Sequence, residues 1–331
     1  IVARIEELLS HLDAGVQALQ RAKAQLQRYR QAVLKAAVEG RLTEEWRKAH
    51  PEVEPAEELL EQISKAHQKP PERIESTQLP NLPRSWIWAS TDQLASSEKY
   101  SMAIGPFGSN LKVVDYRSEG VPLIFVRNIR LRLFNGQCTW FVSNEKAEEL
   151  RAHFVESGDI LITKMGDPPG DACIYPEGMP PAIITADCIK WRLSSLLKEK
   201  AYLSNAINSI VVKKQIIQFT KGVAQQKISL IRFKKVGIPL PPLQEQNEIT
   251  KCIESRFSFC DQTEIEFNRA IQLSASLRQS ILKRAFEGKL VPQDSSDEPA
   301  SVLLEHIKAE RASQEPDHRR RNRMRDKPLQ R

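Results

Sequence analysis

The sequence has no run of about 18 apolar residues, so no segment has the length and hydropathy of a membrane-spanning helix. It has no basic-then-apolar leader, which argues against secretion. Cysteine is sparse: Cys138, Cys173, Cys188, Cys252 and Cys260 are scattered, odd in number and form no CxxC pair. That pattern argues against a disulfide scaffold or a zinc ribbon and predicts a reducing, cytoplasmic setting. A GxxxxGK[ST] phosphate loop is absent, as is a glycine-rich strand-to-helix turn for a nucleotide. His11, His50, His67, His153, His306 and His318 stand at no metal-ligand spacing. No nucleophile, base and oxyanion donor can be assembled from the motifs present. The expectation is a chain with no catalytic residues, no metal and no cofactor of its own.

One segment comes near a catalytic motif. Amino-methyltransferases carry an acid- or Asn-Pro-Pro-aromatic sequence, and this chain has Asp167-Pro-Pro-Gly170. The fourth residue is glycine, so no ring is available there to stack on a flipped base. Met165 to Asp171 reads instead as a turn between two strands.

What the sequence does contain is charge, a repeat and a change of periodicity. Its 331 residues are 27% charged and 40% hydrophobic, a globular composition with room for about two domains. The first residue is Ile1 rather than Met, which predicts a cut in a longer gene product. The net charge of +7 is unevenly spread, because residues 190–235 hold 11 Lys/Arg against the single acid Glu199. Residues 83–243 sum to +7 and residues 311–331 to +5, so the rest of the chain is acidic. A basic middle between acidic flanks fits a nucleic-acid-contacting domain on helical supports, and fits a merely basic soluble surface less well.

Residues 1–42 recur at 249–290 without a gap. The clearest match sets Val33-Leu-Lys-Ala-Ala-Val-Glu-Gly-Arg-Leu42 against Ile281-Leu-Lys-Arg-Ala-Phe-Glu-Gly-Lys-Leu290. Both copies read as long helices. In the first, Ile5, Leu12, Leu19, Leu26 and Val33 recur every seven residues, flanked by a second row at Leu8, Ala22, Tyr29 and Ala36. Such heptads predict a coiled-coil seam. Gly40 and Gly288 stand where a helix C-terminal cap belongs. An antiparallel pair is the simplest arrangement that returns both helices to one intervening domain.

Prolines punctuate residues 51–83 around a short amphipathic helix over 56–67, and Ile238-Pro-Leu-Pro-Pro-Leu-Gln-Glu-Gln246 closes the middle segment. Between these boundaries the periodicity shortens. Residues 121–126, 159–163, 182–185 and 189–193 read as strands, and 144–153 and 200–219 as helices. The fold class is α+β: one globular domain with a curled mixed sheet, flanked by two long repeated helices in an antiparallel coiled coil. The expected segments are a first long helix (1–50), a proline-rich linker (51–82), the globular domain (83–243), a second long helix (244–290), and a short helix with a basic, disordered tail (291–331). Trp86, Trp88 and Trp191 are expected in the core.

Several segments in this order resemble the DNA-specificity (S) subunit of type I restriction–modification systems. They are Leu82-Pro-Arg-Ser-Trp86, Gly105-Pro-Phe-Gly-Ser-Asn110, Val121-Pro-Leu-Ile, Arg127-Asn128 and Gly158-Asp-Ile-Leu-Ile-Thr-Lys164. Ile228-Ser-Leu-Ile231, the Pro-Leu-Pro-Pro-Leu-Gln-Glu-Gln246 segment and Phe286-Glu-Gly-Lys-Leu290 complete the set. The family alternates domain, helix, domain, helix, whereas this chain shows helix, domain, helix. The resemblance therefore implies a fragment, or a half-subunit that dimerises, with one target-recognition domain.

The resemblance implies that the domain reads one half of a split site in double-stranded DNA while the helices set the spacing. It implies modification (methyltransferase) subunits carrying S-adenosylmethionine, and restriction (translocase/nuclease) subunits using ATP and Mg2+, as partners. Within that frame the candidate DNA contacts are Ser109, Asn110 and Lys112 after the Gly-Pro-Phe-Gly turn, and Arg127 and Asn128 at a strand end. Lys164 before a turn, and Gln225, Gln226 and Lys227 before the closing strand, complete the candidates. Lysine and arginine serve phosphates, and forked groups serve base edges. Two other readings stay open: a coiled-coil scaffold with an inserted domain that does not read DNA, and the target-reading segment of a fused restriction–methylation enzyme.

Overall fold

The computed structural model describes residues 1–67, 74, 79–220, 226–294 and 296–325. The chain opens with helices α1 (Val2–Val38), α2 (Glu44–Ala49) and α3 (Ala56–His67). Next come β1 (Ile87–Ser90), α4 (Thr91–Leu94), β2 (Met102–Ile104), β3 (Val121–Ile124), β4 (Ile129–Arg130), β5 (Leu133–Phe134) and β6 (Phe141–Val142). After α5 (Asn144–Glu149) follow β7 (Phe154–Val155), β8 (Ile160–Thr163), β9 (Met165–Gly166), β10 (Ala172–Ile174), β11 (Ala182–Ile184) and β12 (Cys188–Trp191). Then α6 (Lys200–Asn208), α7 (Ile210–Gln218), β13 (Gln226–Lys227), α8 (Leu230–Phe233) and β14 (Gly237–Leu240) lead to α9 (Leu243–Phe286) and α10 (Ala300–Arg325). Among the described residues, no helix is long and apolar enough to cross a membrane.

The chain divides into two compact units, one of residues 1–19 with 269–331 and one of residues 20–268. The larger unit is layered. Strands β10-β8-β12-β2 form an antiparallel four-stranded sheet, and β6-β3-β11-β7 form a mixed one in which β3 and β11 run parallel. No closed barrel forms among the described strands. Side chains alternate along each strand, so one strand can serve two cores. Ile160 and Ile162 of β8 join Trp191, Tyr202 and Phe233 in the largest core, together with Val33, Leu34 and Ala37 of α1 and Ile249, Ile253 and Phe257 of α9. Leu161, between them, faces Ile124, Tyr175 and Ile184 in a second core. Ile183 of β11 faces a third, with Leu123, Val142 and Leu150. A one-residue slip in β8 would exchange its two faces, so burial on both sides fixes its register.

The span 200–219, expected as one helix, is two. Ser209 has extended backbone, donates its hydroxyl to the Ala206 carbonyl at 2.7 Å and accepts from the Val212 amide at 3.3 Å. One serine thus ends α6 and caps α7. Trp191 and Trp86 are buried as expected, at 0% and 6% exposure, and Trp88 is half-buried.

Helices α1 and α9 meet within this unit through ions. Arg30, 8% exposed, donates to Asp261 at 2.6 Å and to Glu264 at 2.7 Å. Lys23 lies 3.2 Å from Glu264 and donates to Asn268 at 3.1 Å. Partner numbers fall on α9 as they rise on α1, so the helices run antiparallel along these contacts. The heptad row predicted from the sequence is turned inward, with Ile5, Leu12, Leu19 and Leu26 half-buried and Val33 buried. Of the second row, Leu8, Ala22 and Ala36 are half-buried and Tyr29 is 46% exposed, and a further row at Leu9, Val16, Lys23, Arg30 and Ala37 is also half-buried or buried. Counting apolar residues hides this row, because its Lys23 and Arg30 are charged and become acceptable only when α9 supplies their carboxylates.

Arg30 holds the Glu264 carboxyl below its ordinary value. A carboxylate depressed in the folded state stabilises fully above the unfolded value of about 4.3, and that contribution is lost as pH falls through the folded value. Arg30→Met should therefore flatten the pH dependence of stability below about pH 4.3. Urea titrations at stepped pH would check it, and an acid limb identical to the parent's would contradict it.

The ends of the repeat share one backbone geometry. Gly40 closes α1 with φ +72°, and Arg41 N–H reaches the Ala36 carbonyl at 2.9 Å. Gly288 follows α9 with φ +71°, and Lys289 N–H reaches the Arg284 carbonyl at 2.8 Å. Both are six-to-one helix terminations that favour glycine. At Gly40 a Cβ would in addition fall 2.5 Å from Pro83 Cγ.

Glu245, in the first turn of α9, is fully buried. Its carboxylate accepts from Trp86 Nε1 at 2.8 Å, from Thr43 Oγ1 at 2.6 Å and from Arg47. Arg47 also donates to the Gly40 carbonyl at 2.8 Å. One carboxylate therefore joins the end of α1, α2, the segment before β1 and the start of α9.

In the smaller unit, Asp13 pairs with Arg278, and Ile281 and Ala285 of α9 are buried. Helix α10 runs to Arg325, past the short helix expected there and into the basic stretch assigned to a disordered tail. Its first half, Ala300 to Ala312, is rich in Ala, Leu, Glu, Lys and Arg, residues that propagate a helix well. Residues 326–331 lie outside the described residues.

Candidate nucleic-acid interface

The turn Thr185-Ala186-Asp187, between β11 and β12, is one of the places where the chain passes from one four-stranded sheet to the other. Four segments are anchored to it. The Gly105 amide donates to the Cys188 carbonyl at 3.2 Å. A Cβ at Gly105 would sit 2.1 Å from the Thr185 carbonyl, so only glycine allows this approach. The end of β3 accepts from Thr185 through the Ile124 carbonyl, at 2.9 Å from the amide and 2.8 Å from the hydroxyl. Lys164 donates its amide to the Asp187 carbonyl and its ammonium to the Ala186 carbonyl, both at 2.8 Å. Lys227 reaches within 3.9 Å of the Asp187 carboxylate.

These anchors gather most of the candidate contacts around one turn. Ser109, Asn110 and Lys112 are exposed on the loop that leaves Gly105. The Asn110 amide returns to the Phe107 carbonyl at 2.8 Å, and Ser109 Oγ donates to Asn110 Oδ1 at 3.2 Å. The Lys112 amide is held by Asp115 at 2.7 Å, leaving its side chain exposed. Arg127 is exposed beyond β3, donates to Thr139, and lies 4.4 Å over the ring of Phe125. Phe125 packs edge-on to Tyr116, which in turn meets the 44% exposed Trp140. Gln226 and Lys227 form β13, paired with Gly166 and Met165 of β9. Lys164, Lys227, Ile228, Ser229 and Arg232 line an open cleft of about 370 Å³. Arg232, which the sequence did not single out, is oriented by the Phe219 carbonyl at 2.8 Å. Its only sequence signal is its place three residues after Ser229, the cap of α8. Gln225 lies outside the described residues.

Asn128 has a different place. It is 1% exposed, its Oδ1 accepts from the Phe125 amide at 2.9 Å, and its Nδ2 donates to the Asn135 and Gln137 carbonyls at 2.9 and 3.2 Å. Both ends of the amide are used in shaping the loop that presents Arg127, so it has no edge left to offer a base. Asn128→Ala should cost about 1–3 kcal/mol of stability, because it strips partners from buried backbone groups. Arg127→Ala should leave stability within about 0.5 kcal/mol. Chemical denaturation of the two variants checks the pair, and equal losses would contradict the division of roles.

The charge count of the basic segment also needs correction. Lys190 is 3% exposed and donates to the Phe154 carbonyl at 2.6 Å, and burial lowers its pKa to about 8. Arg192 is enclosed by Asp159 at 2.8 Å, Glu156 at 3.0 Å and Glu98 at 3.2 Å. These two cations belong to the interior and its rim. Lys198, Lys214, Lys227 and Lys235 remain exposed. Burial also pushes the Cys173 and Cys188 thiols up to about 12, which keeps them protonated and unreactive. Among the described residues, no group of three or more His, Cys, Asp or Glu side chains could hold a metal ion.

The layered sheets, the helical supports and this loop-gathered basic turn describe a protein class. Residues 133–273 match the family model for the type I restriction modification DNA specificity domain. The specificity subunit of the type I restriction enzyme EcoDI of Escherichia coli is 28% identical over 95% of this chain and 66% of its own length. That of EcoBI, also from Escherichia coli, is 28% identical over 95% of this chain and 62% of its own length. A chain from a solved structure on complex assembly and conformational transition of the type I R-M system shares the fold. Its TM-score is 0.51 and its identity 19%, over 85% of this chain and 59% of that one. The chain is thus similar to type I restriction–modification specificity subunits along most of its length, and carries a match to their DNA specificity domain over 133–273. It spans about two thirds or less of the length of these relatives.

Proposed function

We propose that this chain recognises double-stranded DNA by sequence, as a specificity subunit of a type I restriction–modification complex. The observation that carries the reading is the convergence of Gly105, the end of β3, Lys164 and Lys227 on the turn 185–187. It gives phosphate-binding cations and forked polar groups a common rigid base, as reading a duplex requires. Lys112, Lys164, Lys227 and Arg232 face phosphates; Ser109, Asn110, Arg127 and Gln226 address base edges. Residues 83–243 act as one target-recognition domain that reads one half of a split site. Helices α1 and α9, as an antiparallel coiled coil, hold that domain at a set spacing and scaffold modification and restriction subunits. The chemistry resides on those subunits, with S-adenosylmethionine, ATP and Mg2+, and the complex works in the cytoplasm.

The test is selection from a random duplex library by this chain mixed with its modification subunit, at two salt concentrations. Enrichment of a half-site, or of a symmetric pair of half-sites if two copies assemble, is the expected result. Each phosphate contact contributes about 0.9 to the salt slope, so Lys227→Ala with Arg232→Ala should lower the slope by about two. A complex that forms without any sequence enrichment would leave only a scaffold and overturn the reading.

A further inference from the structure

The loop 105–115 carries more than polar contacts. Phe107 is 67% exposed, Val113 79% and Val114 76%, three large apolar side chains within eight residues of the same loop that bears Ser109, Asn110 and Lys112. Single exposed apolar residues are ordinary, but a group of them on a basic surface is not.

The backbone beneath them is fixed. Gly105 is locked against Thr185 and Cys188, and Gly105 and Pro106 are buried. The Phe107 carbonyl accepts from Asn110 at 2.8 Å and from Leu111 at 3.3 Å, and Leu111 is buried in the third core. On the far side Asp115 holds the Lys112 amide at 2.7 Å, and Arg117 donates to the Val114 carbonyl at 2.7 Å. The apolar tips are therefore held in water by a braced turn, so little ordering entropy remains to be lost when they meet a surface.

We propose that Phe107 is an apolar wedge that enters a groove of the duplex and partly unstacks one base step, with Val113 and Val114 packing on the adjoining sugars. This rests on the DNA-reading function proposed above. Three observations favour DNA over a protein as the occupant. The loop shares its anchor, the turn 185–187, with Lys164 and Lys227. Lys112 and Arg117 flank the apolar tips, as cations must if a wedge is to approach through phosphates. A phenyl ring has the flat face that stacks on any base, so the contact needs no hydrogen-bond code.

The experiment uses the half-site recovered by the library selection and the same protein preparation. Duplexes with 2-aminopurine at each position in turn report unstacking as a rise in fluorescence. The expected result is one position whose rise disappears in Phe107→Ala and persists in Phe107→Trp. Affinity for that half-site should fall about 10- to 100-fold in Phe107→Ala, the scale of a lost aromatic–base stack. Non-specific affinity and its salt slope should stay unchanged, as should the thermal midpoint, since the ring is exposed. A base flipped by the modification subunit gives a signal that survives in both variants and is thereby separated. If the wild-type chain selects a half-site and Phe107→Ala binds it equally, the wedge is overturned while the DNA-reading function stands. If Phe107→Ala instead loses only its association with the modification subunit, the ring is a protein contact and the wedge is likewise overturned. If the wild-type chain selects nothing, the DNA-reading function fails and takes the wedge with it.

Discussion

Glu245→Ala should lower the unfolding free energy by about 3–5 kcal/mol, the cost of breaking a buried ion pair from one side. The size follows from what is left behind. Arg47 loses its carboxylate, and Trp86 Nε1 and Thr43 Oγ1 lose their acceptors inside a closed junction. Glu245→Gln should retain acceptors for the tryptophan and threonine while losing the charge opposite Arg47, and should fall between. Guanidinium unfolding of the three proteins tests the order. The same substitution should also loosen the joint, because four chain segments meet at this carboxylate. Hydrogen exchange of the Trp86 indole and of the first turn of α9 should accelerate together. A Glu245→Ala protein within about 1 kcal/mol of the parent would show that the network is replaceable, as the better-packed apolar alternatives to buried ion pairs can be.

Gly105→Ala should have the largest effect on the candidate interface for the smallest change in side chain. The added methyl would lie 2.1 Å from the backbone of Thr185, and 2.6 Å from the Ile184 carbonyl. No side chain can rotate away, so the strand end or the turn must move. Overpacking of this kind costs about 1–3 kcal/mol, and contact with backbone puts it at the upper end. The functional loss should exceed the loss of stability. Displacing the loop carries Ser109, Asn110 and Lys112 away from Lys164 and Lys227, so on the proposed DNA-reading function the affinity for a selected duplex should fall about 10- to 100-fold while the salt slope loses about one unit. Lys112→Ala provides the comparison, with the slope change but without the stability change. A Gly105→Ala protein that binds like Lys112→Ala would mean that the anchor at 185 is not what positions the loop.

Much of the architecture was readable where pattern and geometry coincide. The heptad leucines, the glycine terminations and the β-branched runs over 121–126 and 159–163 each have one physical solution, and α1, α9, β3 and β8 take it. Ser209 escaped because its capping role depends on which way two helices turn, not on local composition. The further row through Lys23 and Arg30 escaped because a charge in a seam makes sense only beside its partner, which lies more than 230 residues away in the chain. The interface was legible as residue types and illegible as placement. Arg127 and Asn128 look alike on paper as hydrogen-bonding groups at a strand end. One is exposed over a ring, and the other is spent holding the loop that presents it.

The two-stranded sheet of β1 and β14 has a consequence of its own. Ile87 faces Leu240, Trp88 faces Pro239, Ala89 faces Ile238 and Ser90 faces Gly237 in antiparallel register. Paired strands lie about 4.8 Å apart, so the chain leaves its supports and returns to them through a single narrow doorway. Tyr202 bolts that doorway, donating to the Pro239 carbonyl at 2.7 Å and meeting Trp86 edge-on at 6.5 Å. Between these strands the chain also packs directly on the helices, since Ile160, Ile162 and Trp191 share the largest core with Val33 of α1 and Phe257 of α9. The two points of attachment are thus set one strand spacing apart by backbone pairing, whichever side chains the strands carry.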